Sequence, residues 1–389
     1  MLEKIVILGV KIDDIGLDQT LLEIKRALVN RSQITVFTPN PEICLKAESD
    51  EHYREVLNFG SINIPDGVGL KYGAKILSQT LKNKTCGSDL TKEILSSLKP
   101  SKVYIISRRD ALSQKADLYN LFKNKFPDTK FKVGFLDKAK PFDCDNIINE
   151  INVFEPQILF VCLGAPNQEI WISKFLKFLP CVNAALAVGG SFDFLTGKIK
   201  RAPEMMRNFG LEWLYRLYQE PQRLNRIKNA TVIFLLKCLH WKERLKKEYR
   251  ENVLGVVVNS QNKFLIQKNK HLNNHWQFPQ GGVDAGESEE AAVIREVSEE
   301  VGIDKKHLQI IKKLKATNTY DWPPHSQILK GYKGQKQNAF LIKFTGSNTD
   351  LNFQKSHEVE AIEWVDKNEV VSRLHQVRKD FAKKLLNEI

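Results

Sequence analysis

Residues 281–303 read GGVDAGESEEAAVIREVSEEVGI, and no other stretch constrains the fold as tightly. From Ala291 to Val301 the run holds good helix formers and neither Gly nor Pro, so the spacing predicts a helix there. On that helix Glu296, Glu299 and Glu300 stand at i, i+3 and i+4, which places three carboxylates on one face. Like charges so placed repel unless a cation joins them. Hard oxygen ligands of this kind suit Mg²⁺ or Mn²⁺. A solvated acidic helix face is the plain alternative. Gly281 and Gly282 before the helix and Gly302 after it weigh against that reading.

With 389 residues the chain has room for two or three domains. Its hydrophobic content of 42% and charged content of 27% are those of an ordinary globular protein. The first ten residues, MLEKIVILGV, are too short and too charged for a secretory signal and read as a first strand. No stretch approaches the roughly 20 apolar residues of a membrane span. The six cysteines form no C-x-x-C pair, which argues against a zinc site or a disulfide framework and points to a reducing cytoplasm. The net charge of +13 is unevenly placed: Thr196 to Arg250 holds fourteen Lys or Arg against five Asp or Glu. An apolar island, Thr231 to Leu236, and Trp241 lie within this basic strip. Such a segment suits an anionic membrane surface. A packed core helix with a basic outer face fits it equally well.

Residues 1–200 alternate apolar runs with helical patterns. The runs are Ile5–Val10, Ile34–Thr38, Val103–Ser107, Phe131–Phe135, Ile158–Gly164 and Ala184–Val188, with helices such as Asp18–Val29 and Asn167–Phe178 between them. This rhythm predicts an α/β sheet covered by helices. Residues 203–247 read as a basic helical segment. A second α/β domain begins near residue 248, which divides the chain into 1–247 and 248–389.

In open α/β sheets, ligands sit where strands run out into loops. The first domain carries distinctive groups at such places: Thr38-Pro-Asn40, Pro65-Asp66-Gly67-Val68-Gly69, Cys86-Gly-Ser-Asp-Leu90, Gly164-Ala-Pro-Asn-Gln-Glu169, Gly189-Gly-Ser-Phe-Asp193 and Lys200-Arg-Ala-Pro203. Ser88 or Asp89 is expected to cap a helix. Leu211 to Arg223 reads LEWLYRLYQEPQR. Taken in this order, these groups resemble the WecG/TagA/CpsF family, glycosyltransferase family 26, over about residues 1–240. The resemblance implies a Rossmann-like α/β fold. It also implies transfer of an N-acetylhexosamine, commonly N-acetylmannosamine, from a UDP-sugar to an undecaprenyl-diphosphate-linked sugar. By it Asp66 is the general base, and Thr38, Asn40 and Gln168 line the donor pocket. Arg216, Arg223 and Arg226 would contact diphosphates, work that suits a planar guanidinium. No cofactor is expected for this domain. Asp143-Cys-Asp145 spells a metal-binding D-x-D, but it sits where Asp serves as a turn or cap residue.

The run at 281–303 matches the Nudix box, G-x5-E-x7-R-E-U-x-E-E-x-G-U with U a bulky aliphatic, at Gly281, Glu287, Arg295, Glu296, Val297, Glu299, Glu300, Gly302 and Ile303. With Trp276-Gln-Phe-Pro-Gln-Gly-Gly282, Tyr320-Asp-Trp-Pro323 and Gly334-Gln-Lys-Gln337, the second domain resembles the Nudix RNA 5′ pyrophosphohydrolases and diadenosine tetraphosphate hydrolases. The resemblance implies an α/β/α sandwich. Mg²⁺ or Mn²⁺ would be held by Glu296, Glu299, Glu300 and Glu358, with Glu299 and Glu300 helping to activate water. Arg250 would contact phosphate, and Arg295 is expected to pair with Glu287 rather than meet metal. The substrate would be a nucleoside polyphosphate or an RNA 5′ end.

The expectation is a bifunctional cytoplasmic enzyme, peripheral on the inner membrane face and capable of homo-oligomerising. Two alternatives stay open. The Nudix domain could cleave the UDP-sugar donor or the UDP product, or the first domain could be a non-catalytic anchor for the hydrolase.

Overall fold

A computed structural model describes residues 4–203, 205–206, 212–219, 224–284, 286–356 and 358–389. The chain divides into two units, residues 1–242 with 328–331 and residues 243–327 with 332–389.

The first unit opens on a hairpin, β1 (Lys4–Ile7) and β2 (Val10–Asp13), paired antiparallel. The sequence reading of one strand over Ile5–Val10 is corrected here. Leu8 and Gly9 take φ of 50° and 80°, and two successive left-handed residues turn the chain back on itself. There follow α1 (Leu17–Asn30), β3 (Ile34–Phe37), α2 (Pro41–Ser49), α3 (Glu51–Phe59), β4 (Ile62–Asn63), α4 (Gly69–Ile76) and α5 (Gly87–Glu93). Then come β5 (Lys102–Arg108), α6 (Lys115–Lys125), β6 (Lys130–Leu136), α7 (Asp145–Phe154), β7 (Ile158–Cys162), α8 (Asn167–Phe175), β8 (Ala184–Ala187) and α9 (Ser191–Leu195). Six strands form one parallel sheet in the order β4-β3-β8-β7-β5-β6. Its central strands are apolar throughout because both faces are covered: Val103 to Ile106 and Ile158 to Val161 are fully buried. Helix α5 begins at Gly87 with Cys86 as its cap residue, so neither Ser88 nor Asp89 caps it. Asp89 instead pairs with Arg201.

The basic segment contains α10 (Glu212–Gln219), α11 (Leu224–Lys228) and α12 (Phe234–Lys247). Phe234, Cys238 and Trp241 are buried at helical spacing. Phe234 lies against Gly73 of α4, where a β-carbon would come within 2.7 Å of the ring. This face of α12 is therefore core. Val232, Leu236 and Leu239 remain exposed.

The second unit contains β9 (Tyr249–Val258), β10 (Phe264–Asn269), β11 (Trp276–Gln277), β12 (Gln280–Gly282), α13 (Glu289–Val301), β13 (Leu308–Asp321), β14 (Gly334–Phe344), β15 (Val359–Val365), α14 (Lys367–Arg373) and α15 (Gln376–Leu386). The strands form one mixed sheet, β11-β10-β9-β14-β13, with β12 on β9 and β15 on β10. Alternation along β9 sorts its side chains between two cores. Val253 and Val257 pack with Val293, Val297 and Val301 of α13, while Leu254 and Val256 pack with Val370, Leu374, Phe381 and Leu385 of α14 and α15. A helix layer thus covers each face, which makes an α/β/α sandwich.

Candidate active sites

At the carboxyl ends of β4, β3, β8 and β7 the loops are laced together beyond the strand ladder. Asp66 N–H donates to Pro39 O at 2.9 Å, joining the loops after β4 and β3. Thr38 Oγ1 donates to Ala187 O at 3.2 Å, joining β3 to β8. Gln168 Oε1 accepts from both Gly164 N–H and Gly189 N–H at 3.1 Å, joining β7 to β8. Gly164 and Gly189 have φ of 78° and 53°, a left-handed backbone that favours glycine and turns the chain at each strand end.

Thr38, Asn40, Asp66 and Gln168 therefore gather along one rim. Thr38 and Gln168 are buried, while Asn40 and Asp66 are half-buried. Asn40 Oδ1 accepts from Ile43 N–H at 3.0 Å and caps α2. The side chains of Thr38, Asn40 and Gln168 thus bond protein groups that shape the rim. Arg216 and Arg226 fall on α10 and α11, with their side chains outside the described portion, and Arg223 lies outside the described residues.

Sequence reasoning did not single out Glu169. It is fully buried beside Gln168, whose Nε2 donates to Glu169 Oε1 at 2.7 Å, and Tyr53 OH donates to Oε2 at 3.0 Å. Burial pushes this carboxyl up to about 7. The only sequence signal was an acid directly after Gln168 in a helix's first turn, which is common and decides nothing.

In the second unit, α13 is held at both ends. Ser288 Oγ accepts from Ala291 N–H at 3.2 Å, and Glu289 and Glu290 stand in the first turn, where the helix dipole favours acids. Gly302 closes the helix at φ 71°, with its N–H on Ser298 O. The carboxylate of Glu296 lies so close to the backbone at Gly281 that a β-carbon there would be 1.9 Å from its Cδ. Glu300 is buried and accepts from Gln280 N–H at 2.8 Å. Burial pushes Glu300 up to about 8 and raises Glu296, and the charge of Glu358 raises both further. Glu299 is largely exposed.

Arg295 grips Glu287 through two hydrogen bonds, as the sequence spacing predicts, and also donates to Gly282 O at 3.0 Å and Glu296 Oε1 at 2.8 Å. The guanidinium of Arg250 lies on Gly282, where a β-carbon would meet Nη2 at 2.5 Å. Among the described residues no three His, Cys, Asp or Glu form a ready metal cage. The donor set nevertheless fits a hard divalent cation. Glu296, Glu300 and Glu358 are all oxygen donors, and Glu358 lies near enough for its charge to act on both Glu296 and Glu300.

The sheet face carrying Arg250 changes character along its length. Strand register aligns Tyr320, Gln335 and Arg250 in one row and Asn318, Gln337 and Asn252 in the next. Gln337 Nε2 donates to Asn252 Oδ1 at 3.0 Å and Gln280 Oε1 at 2.7 Å, and Asn318 donates to Gln337 Oε1 at 3.0 Å. Beyond these rows the face is apolar, with Leu254, Ala339, Val256 and Leu341 in the core beneath α14 and α15.

A parallel sheet with laced loops at its strand ends and a sandwich with a carboxylate-bearing helix define two α/β enzyme domains on one chain. The chain belongs to the glycosyl transferase WecG/TagA/CpsF family, whose sequence model matches residues 5–248, and it carries a NUDIX domain matched at residues 248–386. It is 30% identical over 218 residues to an N-acetylglucosaminyldiphosphoundecaprenol N-acetyl-beta-D-mannosaminyltransferase of Bacillus spizizenii, covering 56% of this chain and 84% of that protein. A protein of the same description from Staphylococcus aureus strain MW2 is 30% identical over 250 residues, 63% of this chain and 95% of its own. Among solved structures, a C. elegans Ap4A hydrolase binary complex aligns with 34% of this chain and 93% of its own at 23% identity and a TM-score of 0.27, a level that decides nothing about substrate.

Proposed function

We propose that residues 1–247 transfer N-acetylmannosamine from a UDP-sugar to an undecaprenyl-diphosphate-linked N-acetylglucosamine. Residues 248–389 hydrolyse a nucleoside polyphosphate, either a dinucleoside polyphosphate or a triphosphorylated RNA 5′ end. The observation that carries the first half is the match to N-acetylmannosaminyltransferases over 84% and 95% of their lengths. In this reading Asp66 takes the proton from the acceptor hydroxyl, whose oxygen attacks the sugar's anomeric carbon as UDP leaves. The half-buried position of Asp66 on the rim, beside Pro39, supports that role. Arg216, Arg223 and Arg226 would meet the diphosphates. The exposed Leu236 and Leu239, with Val232 and Leu224, support contact of the basic segment with an anionic membrane surface. Among the described residues no helix is long and apolar enough to cross a membrane.

For the second half, Glu296, Glu299, Glu300 and Glu358 would hold Mg²⁺ or Mn²⁺, which lowers the pKa of an attacking water. Arg250 would bind phosphate. The match of residues 248–386 to the NUDIX family supports a nucleoside polyphosphate as the substrate. The test is product analysis. Incubation with UDP-N-acetylmannosamine, a lipid-diphosphate-N-acetylglucosamine and Mg²⁺ should give UDP and a disaccharide-lipid, lost in Asp66→Asn and kept in Glu299→Gln. The second domain's own reaction is read by incubation with diadenosine tetraphosphate, where Glu299→Gln should be inactive.

A further inference from the structure

We propose that Glu169, backed by Tyr53, is a positioning residue of the transferase. It fixes which way round the Gln168 amide sits, and through it the separation of the loops after β7 and β8. This rests on the reading that the crevice at those strand ends takes the UDP-sugar.

Glu169 and Tyr53 are fully buried, and Gln168 is nearly so. A carboxyl taken out of water is costly unless hydrogen bonds replace its hydration. Two do so here, from Tyr53 OH and from Gln168 Nε2. Lys46 lies near enough to favour the charged form, and its Nζ donates to Ala165 O at 3.0 Å on the same loop. These bonds have a consequence beyond satisfying the acid. A glutamine amide has nearly the same shape either way round, with oxygen and NH₂ exchanged. Only one orientation presents oxygen to the N–H groups of Gly164 and Gly189. The other would set NH₂ against both donors. Above about pH 7 the carboxylate of Glu169 is ionised and only accepts hydrogen bonds, and below it a proton shared with Tyr53 still leaves Oε1 to accept, so Glu169 claims the NH₂ and leaves the oxygen for the two loops. One buried acid thus removes a two-fold ambiguity at the rim, and the crevice is set before substrate arrives.

The test uses the full chain and three variants, with two readouts. The first is transfer kinetics with UDP-N-acetylmannosamine and the lipid-linked acceptor. The second is hydrogen exchange of the Gly164 and Gly189 amides, which needs no activity. Glu169→Leu removes the acceptor while replacing a buried acid with an apolar group. It should melt lower than wild type, since the buried Tyr53 hydroxyl and Gln168 NH₂ lose their acceptor, exchange faster at both amides, and lose on the order of 100-fold in kcat/KM for the UDP-sugar, mainly through a raised KM. Glu169→Gln can accept from Gln168 and donate to the oxygen of Tyr53, so it should regain at least tenfold of that loss. Should Glu169→Leu fold poorly, the exchange Gln168→Glu with Glu169→Gln reverses the direction of one bond and keeps both glycine bonds. It should outperform Gln168→Glu alone. Unchanged amide exchange in Glu169→Leu, equal loss in Glu169→Leu and Glu169→Gln, or a double variant no better than Gln168→Glu would each overturn the proposal. Wild type that makes no UDP from any UDP-sugar, with the exchange pattern as expected, would overturn the transferase reading and leave the positioning role standing.

Discussion

The guanidinium of Arg295 holds the carboxylate of Glu287 by two hydrogen bonds, Nε to Oε1 at 2.9 Å and Nη2 to Oε2 at 2.8 Å. This fork ties the loop before α13 to the helix itself. It also holds Glu287 well below the usual carboxylate range, chiefly through the bonds from Arg295. Arg295→Lys keeps the charge but not the fork. It should lower the stability of the second domain by about 1–3 kcal/mol and cut polyphosphate hydrolysis at least tenfold. Thermal melting and a hydrolysis assay check both, and sugar transfer should be unchanged.

Gly281 is the tightest spot of the second site. A β-carbon there would stand 1.9 Å from Cδ of Glu296. Gly281→Ala must displace that carboxylate, so hydrolysis should fall on the order of 100-fold, as 1 Å misplacements do, while melting moves little. Activity measured across a Mn²⁺ titration should show a raised metal requirement.

The proton on Glu169 makes the first domain pH-sensitive. Burial raises its carboxyl from 4.5 to about 7. Between those values the folded state keeps a proton that the unfolded chain has lost. The resulting stabilisation is therefore complete below about pH 4.5 and is lost as pH rises through about 7, with an upper size of about 3 kcal/mol. Glu169→Gln cannot titrate. Urea unfolding at pH 5 and pH 8 should show wild type losing up to that amount relative to the variant.

Helix α12 presents two apolar faces with different duties. Phe234→Ala removes a fully buried ring and should cost about 3–5 kcal/mol. Leu236→Ser with Leu239→Ser changes exposed positions and should shift stability by only about 0.5 kcal/mol per site. The double variant should nevertheless sediment less with vesicles rich in anionic lipid. Equal sedimentation would remove the membrane from the account of this segment.

Much of this was legible in the chain because periodicity and punctuation carry it. The apolar runs at Val103 and Ile158 are central strands because both faces are covered, and Gly302 marks the end of α13, whose start at Glu289, two residues before the expected Ala291, is set by the Ser288 cap. The Leu8–Gly9 turn was missed because Leu8 does not announce a left-handed backbone. Thr38, Asn40 and Gln168 were legible as rim residues by order along the chain. Their side-chain partners were not, since Gln168 meets Gly189 only after β7 and β8 pair. Glu169 was silent for the same reason. Its partner Tyr53 is 116 positions away, and nothing local distinguishes a buried acid from a solvated one.

The most direct test of two separate chemistries on one chain is a single incubation analysed for UDP and UMP. The protein is given UDP-N-acetylmannosamine, a lipid-diphosphate-N-acetylglucosamine and Mg²⁺, with Glu299→Gln in parallel. UDP and a disaccharide-lipid, formed equally by both proteins, is the predicted result. UMP and sugar 1-phosphate, absent with Glu299→Gln, would contradict it and make the UDP-sugar the substrate of the Nudix domain.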